Sequence, residues 1–302
     1  ALHVSKGIPD PKRPVYPLDV IRHTPEYMRE RGGASEAMHG KHVVVFGCGS
    51  VGSEVADALA SAGVGKLTLI DEDVMSPDNV YRHLVGRKSV GFPKVVGCEV
   101  ELESKYPQLR PVGVRQSAED WLEKANLSEV DGIVVAVGIP TLERALMRKL
   151  RVSGGDLPVV TTWLDPLDLG GPSVALRTRN LGCLDCVFRD DEGLPSLTPR
   201  TAFLAAGQKV SRNLTGCASV FVPYGAIQSR RTALMAAEHM LDCLAATALP
   251  SYRFWTGAGK EAPAQGLNTT SWWTMSRTTS MEAATEMLFG EPCAKCRPEV
   301  AS

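Results

Sequence analysis

The stretch from His42 to Ile70, HVVVFGCGSVGSEVADALASAGVGKLTLI, leaves few folds open to the chain. His42–Phe46 predicts a buried strand. Ser50–Ala62 predicts a helix, because Val51, Val55, Leu59 and Ala62 recur at the 3.6-residue period. Gly63 and Gly65 stand where C-cap glycines end a helix, and Lys66–Ile70 predicts a second strand. Between the first strand and the helix lies Gly47-Cys48-Gly49-Ser50-Val51-Gly52, a G-x-G-x-x-G turn. Its first glycine permits the tight turn, its second lets a phosphate approach the backbone, and its third allows close helix–strand packing. Free N–H groups at the helix N-terminus then face an anion, and Ser50 stands among them. Asp71 closes the second strand, placed to accept hydrogen bonds from ribose hydroxyls. The unit predicts a nucleotide site in a doubly wound α/β sheet without choosing NAD over ATP.

The residues that follow favour a triphosphate. Asp71-x-Asp73 leads to Asn79-Val80-Tyr81-Arg82-His83 and then Gly91-Phe92-Pro93-Lys94. A dinucleotide carries only a pyrophosphate. Displacement at a triphosphate builds charge on the leaving pyrophosphate, and a pair of cations such as Arg82 and Lys94 answers that charge. Asn79 can orient a phosphate or ribose. Read blandly, Arg82 and Lys94 are solvated surface charges, and His83 reads as a structural histidine.

Further on, a helix is predicted from about Pro93 to Lys105, strands at Val112–Val114, Gly132–Val137 and Val159–Trp163, and a helix at Pro140–Arg151 facing inward with Leu142, Ala145, Leu146 and Leu150. From Gly170 the pattern turns mixed, with short strands at Ser173–Leu176 and Trp272–Met275. A long helix spans Ala226–Ala246, its apolar face assigned to Leu234, Ala237, Leu241 and Leu244. Trp272-Trp273 read as core, and Met235 and Met240 as gap-filling residues. Residues 1–40 read as a Pro- and Arg-rich arm with a short helix near Pro25–Arg31. The expected organisation is therefore this arm, a nucleotide half at 41–170 and a second half at 171–302. The fold class is α/β: a Rossmann-like, mostly parallel sheet with a mixed, zinc-stabilised second half.

Lys+Arg number 33 and Asp+Glu 34, so the net charge of −1 gives no global reason to coat nucleic acid or an acidic membrane. No apolar run approaches the ~18 residues of a membrane span. The N-terminus has no apolar h-region, which predicts a cytoplasmic protein. Eight cysteines include two knuckles, Cys183-x-x-Cys186 and Cys293-x-x-Cys296. Together they supply four thiolates for tetrahedral Zn²⁺ with no open position, a structural site. Redox pairs or unpaired thiols are the alternative.

The glycine turn, Asp71/Asp73, Asn79/Arg82 and the helix-opening Lys94 resemble the ubiquitin-activating-enzyme superfamily, the ThiF/HesA/MoeB group, over roughly residues 40–300. The phrases GIPTLERAL (138–146), TTWLDPLDLGG (161–171) and GCASVFVPYGA (216–226) are most similar to bacterial members of antiphage operons, Bil-type or CBASS-associated. The resemblance implies antiviral defence. It implies ATP-dependent adenylation of the C-terminal carboxylate of a ubiquitin-like protein, then a thioester on a cysteine and transfer to a separate conjugating enzyme. The roughly forty residues ahead of the sheet are too few to hold a fused conjugating domain. The resemblance also implies a homodimer in which an arm arginine, Arg22 or Arg29, reaches the partner's ATP. An Asp that organises Mg²⁺ in sulfur-carrier relatives aligns with Gly138. Asp73, Asp165, or the phosphates and water are then left to hold that ion.

A thioester-forming thiol needs exposure, mobility and a lowered pKa. Cys217 follows the polar turn Ser211-Arg212-Asn213-Leu214-Thr215-Gly216, whereas Cys48 lies in the phosphate turn and Cys98 and Cys243 on helices. Elimination together with the resemblance points to Cys217; a packed loop thiol is the bland reading. Three rivals stand beside an activating enzyme: a sulfur-carrier adenylyltransferase without a catalytic thioester, an NAD-binding oxidoreductase, and a non-catalytic scaffold.

Overall fold

Valines 43–45 and Phe46 have no solvent exposure, as a continuous apolar run requires of a strand covered on both faces. The computed structural model describes residues 4–5, 8–9, 12, 14, 17, 19–153, 155–190, 192–208, 210, 212–213, 220–246 and 249–296. Its main sheet has seven strands: β1 (His42–Phe46), β2 (Lys66–Ile70), β3 (Arg110–Val114), β4 (Gly132–Val135), β5 (Pro158–Thr162), β6 (Gly170–Arg177) and β7 (Ser251–Thr256). Their spatial order is β7-β6-β5-β4-β1-β2-β3. β3, β2, β1, β4 and β5 are parallel, and β6 and β7 add antiparallel. The mostly parallel sheet with a mixed remainder is the expected fold class.

The helices are α1 (Pro25–Gly32), α2 (Gly52–Ser61), α3 (Lys94–Lys105), α4 (Ala118–Lys124), α5 (Pro140–Val152), α6 (Leu184–Val187), α7 (Ala226–Leu244), α8 (Glu261–Ala264), α9 (Ser271–Met275) and α10 (Met281–Phe289). Side chains alternate across a strand, so the sheet feeds two cores. Val43 and Val45 join Val55 and Leu59 of α2, Val95 and Leu102 of α3, and Met240 of α7. Val44 and Phe46 join Leu146 and Leu150 of α5, Leu288 of α10 and the cysteines at 183, 186 and 296.

Two expectations are corrected here. Trp272–Met275 lies in a helix, α9, and is not a strand. Thr270 caps it, its hydroxyl accepting the Trp273 N–H at 3.3 Å, and Trp272 meets Phe254 edge-on at 5.4 Å between ring centres. One residue assigned to the buried face of α7 also lies elsewhere. Leu234 is 56% exposed, while Ser229, Ala233, Ala236, Ala237, Met240 and Cys243 face inward. Ala237 is buried and Leu241 and Leu244 pack against the core as expected, and the small residues beside them let α7 lie close against the sheet and α2. Trp272 is core and Met240 fills the interior, as read.

Candidate active site and metal centre

β1 is flanked by β2 on one side and β4 on the other, so the helices after β1 and β4 leave on opposite faces. Ligands of open α/β sheets bind at that divergence, beyond the carboxyl ends of the strands. There the chain forms a cleft of about 400 Å³. Gly49, Ser50 and Val51 make one wall, and Ala136, Val137 and Gly138 after β4 another. Gly47 has φ +85°, and a Cβ there would sit 2.7 Å from the Ala136 carbonyl. A Cβ on Gly52 would fall 1.8 Å from the Gly47 carbonyl, whereas one on Gly49 would meet open space. No side chain caps the N-terminus of α2. Its free N–H groups are therefore available to an anion.

The turn is braced by side chains from outside it. Asp71 accepts the Cys48 N–H at 2.7 Å and the Asp73 N–H at 2.8 Å. His83 is buried and donates from Nε2 to the Cys48 carbonyl at 2.6 Å, while its Nδ1 accepts the Val85 N–H. Burial lowers the His83 pKa, which keeps the ring neutral in this role. The Cys48 thiol is raised well above the usual range by its hydrogen bond to Cys98 and by burial. It is an unactivated thiol.

Asn79, Arg82 and Lys94 line the same cleft as Gly49 and Ser50. Lys94 opens α3, is only 11% exposed, and pairs with Asp73 at 2.7 Å. Asn79 is oriented by Ser76, whose hydroxyl donates to Asn79 Oδ1 at 3.0 Å. Asp165 lies outside the lining; its N–H bonds the Gly170 carbonyl. Of the two arm arginines, Arg29 bonds Glu36 and Gln108 at the amino ends of β2 and β3, the end of the sheet away from the cleft. Arg22 is exposed, its guanidinium resting over Tyr27.

Sequence reasoning did not single out Tyr224. It sits two residues before α7, lines the cleft, and joins its hydroxyl to Ser50 Oγ at 2.8 Å. The Arg82 guanidinium lies 4.5 Å from the Tyr224 ring centre. The only sequence signal was its position in the phrase VPYG beside the long helix. Cys217 lies outside the described residues.

Glu143 was also missed. It is 1% exposed, its Oε1 accepts the Gly138 N–H at 2.8 Å, and its Oε2 has no partner among the described residues. Burial raises its pKa from 4.5 to about 7. The folded chain therefore keeps a proton that the unfolded chain releases above pH 4.5. This contribution is complete below pH 4.5 and disappears as pH rises through about 7. We expect Glu143→Gln to gain up to about 3 kcal/mol relative to the parent between pH 5 and 8. Urea unfolding across that range measures it, and parallel profiles would contradict it.

The two knuckles come together. Cys183, Cys186, Cys293 and Cys296 place their sulfurs within 4.8 Å of one another. Cys183–Cys293 is 3.5 Å, Cys186–Cys296 3.6 Å and Cys293–Cys296 3.8 Å. A Zn–S bond of about 2.3 Å gives a tetrahedron with edges of about 3.8 Å, so the donor set fits the ion. The Cys293 N–H points at Cys186 Sγ at 3.5 Å. Hydrogen bonds from Cys183 and Cys293 lower the Cys186 thiol, favouring the ligating thiolate. Asp185, between the first two ligands, gathers Arg144 at 2.6 Å, Arg148 at 3.3 Å and Lys295 at 3.6 Å. Three cations around one carboxylate leave positive charge beside a tetrathiolate centre, which would carry two net negative charges with Zn²⁺ bound.

The ThiF family model matches residues 26–287. The ATP-dependent ubiquitin transferase-like protein Cap2 of Pseudomonas aeruginosa is 28% identical over 252 residues, covering 79% of this chain and 43% of that protein. The molybdopterin-synthase adenylyltransferase of Escherichia coli is 35% identical over 97 residues, covering 32% of this chain and 39% of that protein. A crystal structure of E. coli MccB with ATP superposes with a TM-score of 0.54 at 16% identity, covering 74% of this chain and 62% of that one. The match thus spans less than half the length of these two curated relatives, and the structural likeness speaks for the fold.

Proposed function

This chain belongs to the ThiF family, and on that premise we propose that it uses ATP to activate the C-terminal carboxylate of a ubiquitin-like protein. A single observation carries the reading: Arg82 and Lys94 share one cleft with the glycine turn and the open end of α2. The incoming carboxylate oxygen forms a bond to the α-phosphorus, the bond from that phosphorus to the bridging oxygen breaks, and pyrophosphate leaves. Charge gathers on the leaving oxygens, where Arg82, Lys94 and the α2 N–H groups neutralise it. Asp71 and Asn79 hold the ribose and the phosphates. Asp73, the partner of Lys94, would be the carboxylate to hold Mg²⁺, which would help neutralise the phosphate charge. The nucleotide-binding groups come from residues 41–170 and the nucleophile and zinc ligands from 171–302.

In the second step the Cys217 thiolate attacks the acyl-adenylate carbonyl, AMP leaves, and a thioester remains for transfer to the cysteine of a separate conjugating enzyme. The role of Cys217 rests on the sequence alone. A homodimer in which an arm arginine of one protomer, Arg22 or Arg29, approaches the other's cleft is part of the same reading. So is a cytoplasmic setting that keeps the thiols reduced. No helix among the described residues is long and apolar enough to cross a membrane. The identity shared with the molybdopterin-synthase adenylyltransferase supports a second reading, adenylation of a sulfur carrier without a thioester.

ATP–pyrophosphate exchange, measured with candidate ubiquitin-like proteins, tests the first step. Exchange that requires the partner's terminal glycine is expected; none with any partner would defeat the reading. Cys217→Ala is expected to abolish a dithiothreitol-sensitive conjugate while exchange persists. A conjugate that survives this substitution removes Cys217 from its role, and a parent enzyme that exchanges without ever forming one favours the sulfur-carrier reading.

A further inference from the structure

We propose that Tyr224 is a positioning residue that holds Arg82 ready for the phosphates of the nucleotide without neutralising it. The inference rests on the ATP reading above. The two cations of the cleft are held in different ways. Lys94 is paired with the Asp73 carboxylate at 2.7 Å. Arg82 has no carboxylate partner among the described residues. Its guanidinium instead lies against the Tyr224 ring, 4.5 Å from its centre.

The chemical difference is large. A carboxylate consumes in-plane N–H donors and cancels the charge. An aromatic face holds the guanidinium through its π-surface and leaves the five in-plane donors and the full charge for an oxyanion. A flexible arginine would otherwise lose side-chain freedom on binding, and a preorganised one has already lost it.

Tyr224 is itself fixed at both ends. Its hydroxyl meets Ser50 Oγ at 2.8 Å, beside the turn that faces the phosphates. Its backbone precedes Gly225, whose N–H bonds Gln228 Oε1 as α7 begins. α7 in turn is tied to α2 by Arg230 and Glu54 at 3.0 Å. One side chain therefore sets the spacing between the anion-binding end of α2 and the cation that faces it.

Calorimetric titration of the purified full chain with ATP and with adenosine tests this. Tyr224→Leu removes both ring and hydroxyl; Tyr224→Phe keeps the ring. We expect Tyr224→Leu to weaken ATP binding by about tenfold and adenosine binding by less than about twofold. Tyr224→Phe should recover ATP affinity to within about threefold of the parent. In an Arg82→Ala background Tyr224→Leu should have less than about a twofold further effect, because the two residues act as one unit. The proposal is overturned if Tyr224→Leu binds ATP like the parent, if ATP and adenosine weaken together, or if the two substitutions are additive. A parent chain that binds no ATP would instead defeat the functional reading on which the proposal stands.

Discussion

Arg82→Ala is expected to lower the rate of ATP–pyrophosphate exchange by about 10³-fold while leaving the melting temperature within a few degrees of the parent. The magnitude follows from what the side chain does. Removing one preorganised donor from a site where charge develops costs about 10² to 10³ in rate, and Arg82 contributes a full charge as well as several donors. The small effect on stability follows from its surroundings. Its guanidinium contacts one aromatic face and closes no ion pair among the described residues, so truncation leaves no carboxylate unpartnered. Lys94→Ala is different, because Asp73 loses its 2.7 Å partner at the same time. Steady-state exchange and thermal unfolding on the same preparations decide the matter. An Arg82→Ala chain retaining more than a tenth of the parent rate would remove this residue from the proposed chemistry.

The second large effect concerns the metal. Freshly purified protein is expected to hold one equivalent of zinc, and Cys186→Ser to lose it along with at least about 4 kcal/mol of stability. Cys186 is fully buried, receives the Cys293 N–H, and sits in the apolar core with Phe188 and Leu288. Without the ion, several buried sulfurs must share protons at contacts of 3.5 to 3.8 Å. The ion also ties the chain at Cys293 and Cys296 back to α6, closing a loop of about 106 residues between the knuckles. Elemental analysis with urea unfolding, before and after a strong chelator, provides the measurement. A metal-free chain with an unchanged unfolding midpoint would refute it.

The parts legible from sequence were those in which a local rule and the tertiary environment agree. β1, the glycine turn and β2 announce themselves because the turn must adopt φ +85° at Gly47 and tolerate the 1.8 Å approach at Gly52, and glycine alone permits both. The cysteine knuckles were readable because chelation needs fixed spacing. The helix α9 was not: five residues with two tryptophans carry no period, and its start is set by a single threonine hydroxyl. On α7 the pattern misplaced Leu234 and passed over Ser229, Ala233 and Ala236, because interhelical closeness rewards alanine and serine, residues that a hydrophobic pattern scores low. β7 and α10 passed unread, since Tyr252 and Phe254 alternate over only a few residues and α10 begins at a lone Ser280 cap. Tyr224 and Glu143 escaped for a different reason. Each acts through a partner distant in sequence or through the backbone, and neither spacing nor composition encodes such a contact.

Glu143 and Arg144 are consecutive on α5, so their side chains leave the axis about 100° apart. One grips the backbone at the lip of the cleft through Gly138, and the other grips Asp185, which stands in sequence between two of the cysteine ligands. An inserted or deleted residue within the first turn of this helix would swing one hand away from its hold while the other kept its grip. Chain length here is therefore dictated from two directions at once, and a craftsman altering either end would have to count residues at both.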